Sequence, residues 1–472
     1  MTMRPLELGR QSNVGRHPHA GVARLINLYA EAAGPEGKVQ FPLYAVSGLG
    51  AFATLVSGGG IARMITTSNG IIVKAGRSIL RVDTAGASSL LGGFPSDDLT
   101  TMARNNRPGG EQIAVCGGGA LGIVSGSVLT MVTDPDVGSP TSVFELGGYF
   151  ITAEADGNAR ASELLDGTSW DGLSVEQIGR DLLVGKPRGR DGVFFGARTT
   201  HIWTLNEGDT FPLSPRSTLN VGAWSAGGVI EANGTLYWLS TTDQGSYAGV
   251  RVLTGDTTQT LSSPYVDRAV SRETNPSLVT GTAWSEGGRT FLAWSGPSWT
   301  HVLDLTTGQW HERSSLIDGV MSRWRVEQAV QSGSNLIAGD YASATLYRLG
   351  QVYNDEAGSS LVTTLQVPPL TAYPGRVEVN ELHLDIIPGV GLASGGSEDT
   401  SPQVAMTWSV DGETWSTELL RSIGAQGRTG GRVNWRRLGT QGVHGRTYRF
   451  SASANVVRGI LSAAVDVEGL PA

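Results

Sequence analysis

Cysteine is nearly absent: the 472 residues contain one, Cys116. A single thiol excludes an intrachain disulfide framework and any Cys-rich zinc centre, and it suits assembly in a reducing compartment. Charge is sparse. Asp, Glu, Lys and Arg make up 17% of the chain, below the ~25% usual in soluble domains. Positive charge is the scarcer sign, with 35 Lys and Arg against 43 Asp and Glu and a formal net charge of −8. That balance argues against a broad basic surface for nucleic acid, though a like-charged wall would let DNA pass without sticking. No run of residues reaches the ~18 apolar positions of a membrane span. Met1 to Gly9 lacks the apolar centre of a signal peptide. The expectation is a soluble protein made in the cytoplasm.

Helix signals are also rare. Val22, Leu25, Ile26 and Leu28 are spaced for a short helix over Ala20 to Glu31, and Pro264 to Ser271 is a weaker candidate. What is abundant is glycine, 66 residues, about twice the usual ~7% and without a Gly-X-Y period. With 39% hydrophobic residues, this composition predicts a turn-dense β-protein with a real core.

From about residue 45 to 350 one unit recurs: a short Val-, Ile-, Leu- or aromatic-rich run, a turn, and a returning run. Ile71 to Val82 is one such hairpin. Gly192 to Gly196 with His201 to Leu205, Thr235 to Leu239 with Val250 to Leu253, Phe291 to Trp294 with His301 to Leu305, and Asn335 to Gly339 with Leu346 to Leu349 are four more. Four-stranded blades of ~40–45 residues would use this pattern. Packed radially, they bury both faces of sheets that are unstable alone. The fold class expected is mainly β: a β-propeller-like domain of roughly six blades over 46–355, plus a C-terminal β-sandwich over 360–472, preceded by an N-terminal docking arm with a short helix over 1–45. A pair of β-sandwiches would account for the strands too. The composition turns polar near Gln351 to Ser360, and Pro368-Pro369 and Pro374-Gly375 follow. Beyond them Val377 to Ile386 alternates, and Asp411-Gly412 sits between Thr407–Val410 and Glu413–Ser416 as a tight hairpin turn.

Few residues suggest chemistry. Asp411 to Trp415 is similar to the Asp-box turn of sialidases but one residue short, and that box stabilises a fold. His17-Pro18-His19 presents two imidazoles with no third ligand nearby in sequence, a poor metal site. Glu163, Asp166, Asp171 and Asp181 could pair as glycosidase carboxylates, yet Gly167-Thr168-Ser169 and Trp170-Asp171-Gly172 read as turns. Gly58–Gly60, Gly117–Gly119 and Gly430-Gly431 lack the Gly-Lys-Ser/Thr ending of a phosphate loop. No catalytic residue, cofactor or metal is expected.

Arginine is the more informative residue. After position 400 there are eight arginines against five acids, in a chain that is acidic overall. Arg436 and Arg437, adjacent on one strand, should point to opposite faces. Arginine's planar fork suits interfaces, so Arg432, Arg436 and Arg437 are candidate interface residues. Arg10, Arg16 and Arg24 of the N-terminal segment join them.

Several stretches resemble one family in collinear order: Ser12 to Glu31, Leu164 to Asp171, Gly208 to Leu213, Asn233 to Gly245, and Trp408 to Trp415 with Arg432 to Leu438. Together they resemble the packaged-DNA stabilisation proteins of short-tailed bacteriophages, also called tail accessory, tail hub or nozzle proteins. The resemblance covers about residues 12 to 450. It implies a non-enzymatic virion tail component forming a homo-hexameric ring. The ring would dock on the head-to-tail adaptor and portal, meet spike, fibre or needle proteins, and pass double-stranded DNA through its lumen. The alternative reading is a receptor- or carbohydrate-binding propeller, for which the twelve tryptophans, none before Trp170, would supply stacking platforms. A propeller glycosidase ranks last.

Overall fold

The computed structural model describes residues 3–34, 36–97, 99–206 and 208–470. Short hydrophobic runs separated by Gly- and Asn-rich turns form seven antiparallel blades among these residues, one more than the approximate count of six; all have four strands except the fifth, where Gly222–Ala223 and Ile230–Ala232 both pair with Thr235–Thr241. Blades 1 to 6 take residues 61–93, 101–131, 140–177, 182–219, 222–260 and 280–312. Blade 7 combines Val326–Ser332, Asn335–Asp340 and Thr345–Gly350 with Gly48–Thr54, a strand that precedes blade 1 in the chain. Leu49 faces Leu349 in that register. The ring is therefore closed by pairing the start of the propeller with its end, which removes the edge an open blade would leave. All five hairpins expected from the sequence are present as neighbouring strands within blades.

Each of the seven inter-blade interfaces has its own apolar cluster. Ile72, Leu91 and Val115 fill the one between blades 1 and 2, Phe144 and Phe194 that between 3 and 4, and Trp284, Phe291 and Trp324 that between 6 and 7. The inner strands are joined as well. The strand that opens a blade has N–H groups on its free edge that no fifth strand can accept. Four of them bond to a side chain of the preceding blade: Val143 N to Thr101 Oγ1 (2.7 Å), Gly185 N to Ser142 Oγ (3.1 Å), Ala329 N to Thr282 Oγ1 (3.0 Å) and Met64 N to Gln328 Oε1 (2.6 Å). All four donors follow a one-residue bulge in blades 1, 3, 4 and 7.

The sandwich has two sheets. One contains Leu28–Ala30, Leu43–Ala45, Gly459–Leu470, Arg376–Ile386 and Val433–Gln441, with Met3–Leu6 added against Gly459–Leu470. The other contains Val22–Ile26, Thr363–Gln366, Thr447–Ala452, Gln403–Ser409 and Leu419–Ser422. Leu25, Leu365, Leu382, Met406, Trp435 and Phe450 fill the space between them.

Three local expectations are corrected. Ala20 to Glu31 forms no helix but two strands, Val22–Ile26 and Leu28–Ala30, which enter opposite sheets of the sandwich. Between them Asn27 turns the chain at φ +55°. The i, i+3, i+4 spacing of Val22, Leu25 and Ile26 fits a helix locally, but open strand positions in both sheets outweigh a weak propensity. The arm thus completes its own chain's sandwich. Second, Asp411-Gly412 is not a two-residue hairpin: Met406 pairs with Leu419, so 410–418 is a loop. Asp411 Oδ1 accepts from Glu413 N (2.9 Å), Thr414 N (2.7 Å) and Ser409 Oγ (2.8 Å), which ties that loop. Third, Arg436 and Arg437 do not alternate, because a bulge opposite Val379 and Glu381 places Arg437 at φ +59° and leaves both exposed. The helix expected at Pro264 is present as Pro264–Val270, capped by Ser263.

Candidate interface at the propeller–sandwich junction

The segment that crosses from sandwich to propeller is held by buried polar groups. Asn27 is fully buried; its Nδ2 donates to Ser314 O and Val362 O, both at 2.8 Å, and its Oδ1 accepts from Ser314 N at 3.0 Å. The left-handed backbone that Asn tolerates aims that amide at both domains. Next to it Ile26 bridges in parallel to Glu312, the last residue of blade 6. Arg24 grips Glu312 with two bonds, Nε to Oε1 at 3.0 Å and Nη2 to Oε2 at 2.5 Å. Burial alone would raise the Glu312 carboxyl pKa, but the Arg24 charge and its hydrogen bonds more than offset this and hold it below the ordinary range. Beside this pair lie His301, whose pKa burial lowers, and Tyr265, whose phenol burial and the Glu312 charge raise.

A second buried group begins at the next residue, Arg313. The Arg313 guanidinium stacks 3.9 Å from the Trp324 ring and donates through Nη2 to Ser47 O at 2.6 Å. Burial lowers its pKa to about 10 despite the charges of Glu356 and Glu286. Burial raises the Glu356 carboxyl in spite of Arg313 and Arg325. His311, packed by Tyr29 and Phe291, is driven down to about 3 by burial and then by Arg313. Arg458, near the end of the sandwich, donates to the carbonyls of Leu361 and Asn354 in the linker. The Asn27 amide and the Arg24–Glu312 pair are matched across the junction, whereas Arg313 Nε and Nη1 have no hydrogen-bond partner among the described residues.

The arginines singled out in the sequence do not form one patch. Arg24 is part of this internal clasp and is not free for a partner. Arg10 is exposed and lies 4.0 Å over the Phe41 ring. Arg16 is exposed on the loop after Asn13–Val14. Arg436 pairs with Glu381 at 2.8 Å, and with Asn434 and His383 it draws that half-buried carboxyl down to about 2. Arg432 lines a shallow groove with His383, Asp385 and Thr429, and Arg437 stands exposed on its bulge. Asn27, Glu312, Arg313 and Glu356 were not anticipated. Two signals pointed to the first three, the run His311-Glu312-Arg313 directly after Trp310 and Asn27 between Ile26 and Leu28; Glu356 had none.

Two of the four acidic candidates, Asp166 and Asp171, tie turns. Asp166 Oδ1 accepts from Thr168 N and Oγ1 (3.1 and 2.7 Å), and Asp171 Oδ1 accepts from Leu173 N (2.9 Å). His17 and His19 do meet a third imidazole, His444, stacked 4.5 Å from His19. Even so, no group of three or more His, Cys, Asp or Glu among the described residues is placed to hold a metal.

Comparison with known proteins follows the same two-part architecture. The family described as Bacteriophage P22 Gp10, beta-propeller, matches residues 23–353, and that described as Bacteriophage P22 Gp10, beta-sandwich, matches 364–468. No curated protein sequence matches the chain. Among solved structures, the chain is similar to a streptogramin B lyase (11% identity, 65% of this chain and 98% of that one, TM-score 0.42). It is also similar to the WD40 propeller domain of Doa1 (11% identity, 64% and 96%, TM-score 0.39) and to the computationally designed Ika8 protein (14% identity, 64% and 99%, TM-score 0.37). Scores of this size carry no inference about activity.

Proposed function

Because the chain belongs to the bacteriophage P22 Gp10 stabilisation family, a family of phage structural proteins, we propose that it is the tail hub or nozzle of a short-tailed phage virion. Six copies would form a ring below the head-to-tail adaptor, retain packaged DNA after filling, and pass it outward on infection. The observation that carries this reading is the match of both domains, in order, across nearly the whole chain. The clasped junction supports it, since a ring wall under internal DNA pressure needs its two domains to move as one body. The net charge of −8 favours a lumen that repels phosphate. Arg10, Arg16, Arg432 and Arg437, all exposed, are the arginines we assign to contacts with neighbouring subunits or with the adaptor. Spike, fibre or needle proteins would attach at the distal face.

Mixing the purified protein with DNA-filled, adaptor-capped heads and imaging the product tests this. A six-fold ring of added density at the portal vertex with slower DNA leakage is expected. Absence of binding at that vertex would overturn the reading.

A further inference from the structure

A cleft between blade 6 and the outer face of the second sandwich sheet contains polar groups that the chain leaves unmatched. One wall carries Trp299, Arg313 and Ser314, the other Arg24, Gln366 and Arg449. Arg24, Gln366 and Arg449 are cross-strand neighbours in register on three adjacent strands, so their side chains share one face. Arg24 is matched by Glu312. Among the described residues Arg449 is matched by no carboxylate; its guanidinium lies 3.4 Å from the Trp415 ring and reaches Gln366 Oε1 at 3.4 Å. Burial, and then the charge of Arg24, lower its pKa to about 10.

Four buried atoms of these walls have no hydrogen-bond partner: Arg449 Nε, Arg313 Nε, Arg313 Nη1 and Ser314 Oγ. Arg313 is only 2% exposed. Glu356 and Glu286 offset part of its charge but accept from neither of those nitrogens. Buried donors are nearly always satisfied, so a cluster of unsatisfied ones points to a missing acceptor. The unmatched atoms are three N–H donors and one hydroxyl, which selects an acceptor carrying negative charge over a sugar. Trp415 holds the Arg449 guanidinium flat, the presentation that suits a two-oxygen anion.

We propose that this cleft is an oxyanion site, with Arg449 as the receiving cation and Gln366, Arg313 and Ser314 as supporting donors, taking a carboxylate or phosphate group. That group could come from a free inorganic anion or from an acidic side chain of a neighbouring protein. The site does not depend on the ring reading.

The test is calorimetric titration of the full chain at low ionic strength with inorganic phosphate and, separately, with a hexaglutamate peptide. Saturable binding is expected, and Arg449→Met should weaken it by about tenfold or more while Arg437→Ala leaves it unchanged. Saturation by phosphate alone assigns a free anion; tighter binding of the peptide assigns an acidic side chain. The proposal is overturned if neither probe saturates below about 10 mM, or if Arg449→Met binds as tightly as the parent. Should Arg449→Met fail to fold, the arginine Nε–H resonances of the unmutated protein are followed during the phosphate titration. A shift supports the site and no shift overturns it.

Discussion

Buried ionisable residues at the junction are where single side chains matter most. His311 is buried, with a folded pKa of about 3 against an ordinary 6.5. Above about pH 6.5 it is neutral in both folded and unfolded chains and costs nothing. Between about 6.5 and 3 only the unfolded chain takes up the proton, so stability falls with pH, by about 1.4 kcal/mol per unit from this group. Thermal unfolding of the parent and of His311→Phe at pH 7, 5 and 4 isolates it: the variant should lose less stability on acidification. Other groups titrate in the same window, but they are common to both proteins and cancel in the difference. Glu356 acts with the opposite sign. Its raised pKa means that the folded chain binds the proton first, which offsets part of the acid loss. None of this is written in the local sequence, because an ordinary His and Glu acquire these shifts only from what packs on them.

Among strands and loops, the open edges of the sandwich are the exposed weakness. An edge strand offers free N–H and C=O groups to any passing chain. Here side chains of the same protein occupy the carbonyls. Trp435 Nε1 donates to Leu419 O (2.8 Å), Arg421 donates to Leu420 O and Asn434 O (2.7 and 2.8 Å), and Arg446 donates to Leu438 O and Thr440 O (2.7 and 3.3 Å). Two of the C-terminal arginines, Arg421 and Arg446, therefore guard edges, which accounts for part of the positive excess after residue 400. Arg446, stacked 3.9 Å from Trp408, covers the longer edge. Arg446→Ala should fold but self-associate. Light scattering on warming should rise at a lower temperature than for the parent, and an unchanged onset would contradict the guarding role.

For the whole molecule, the two domains should behave as one cooperative unit. The Arg24–Glu312 pair and the Asn27 amide cross between them, and Arg458 ties the sandwich to the linker. Arg24 keeps about a third of its side chain exposed, so solvent screens the pair, and removing its partner should cost about 2 kcal/mol, less than a fully buried pair. Calorimetry of the parent should show one transition. Glu312→Gln should lower it and separate propeller from sandwich melting. A single transition with an unchanged midpoint would show that the pair contributes nothing to the coupling.

Hydrophobic alternation and turn residues were enough to give the β-rich class, the five hairpins and a propeller followed by a sandwich, because these follow from period-2 patterning and Gly or Asn turns within a few residues. The sequence order of scattered motifs was enough to suggest the family. The tertiary structure decided what depends on distant partners. Blade closure needs Gly48–Thr54 to find Thr345–Gly350. The segment 20–31 becomes two strands because both sandwich sheets have places for it. Arg24 turns inward because Glu312, nearly three hundred residues away, comes to meet it. Spacing along a chain reports local periodicity, but the energy of a buried charge or a completed sheet is set by groups that only the fold brings within reach.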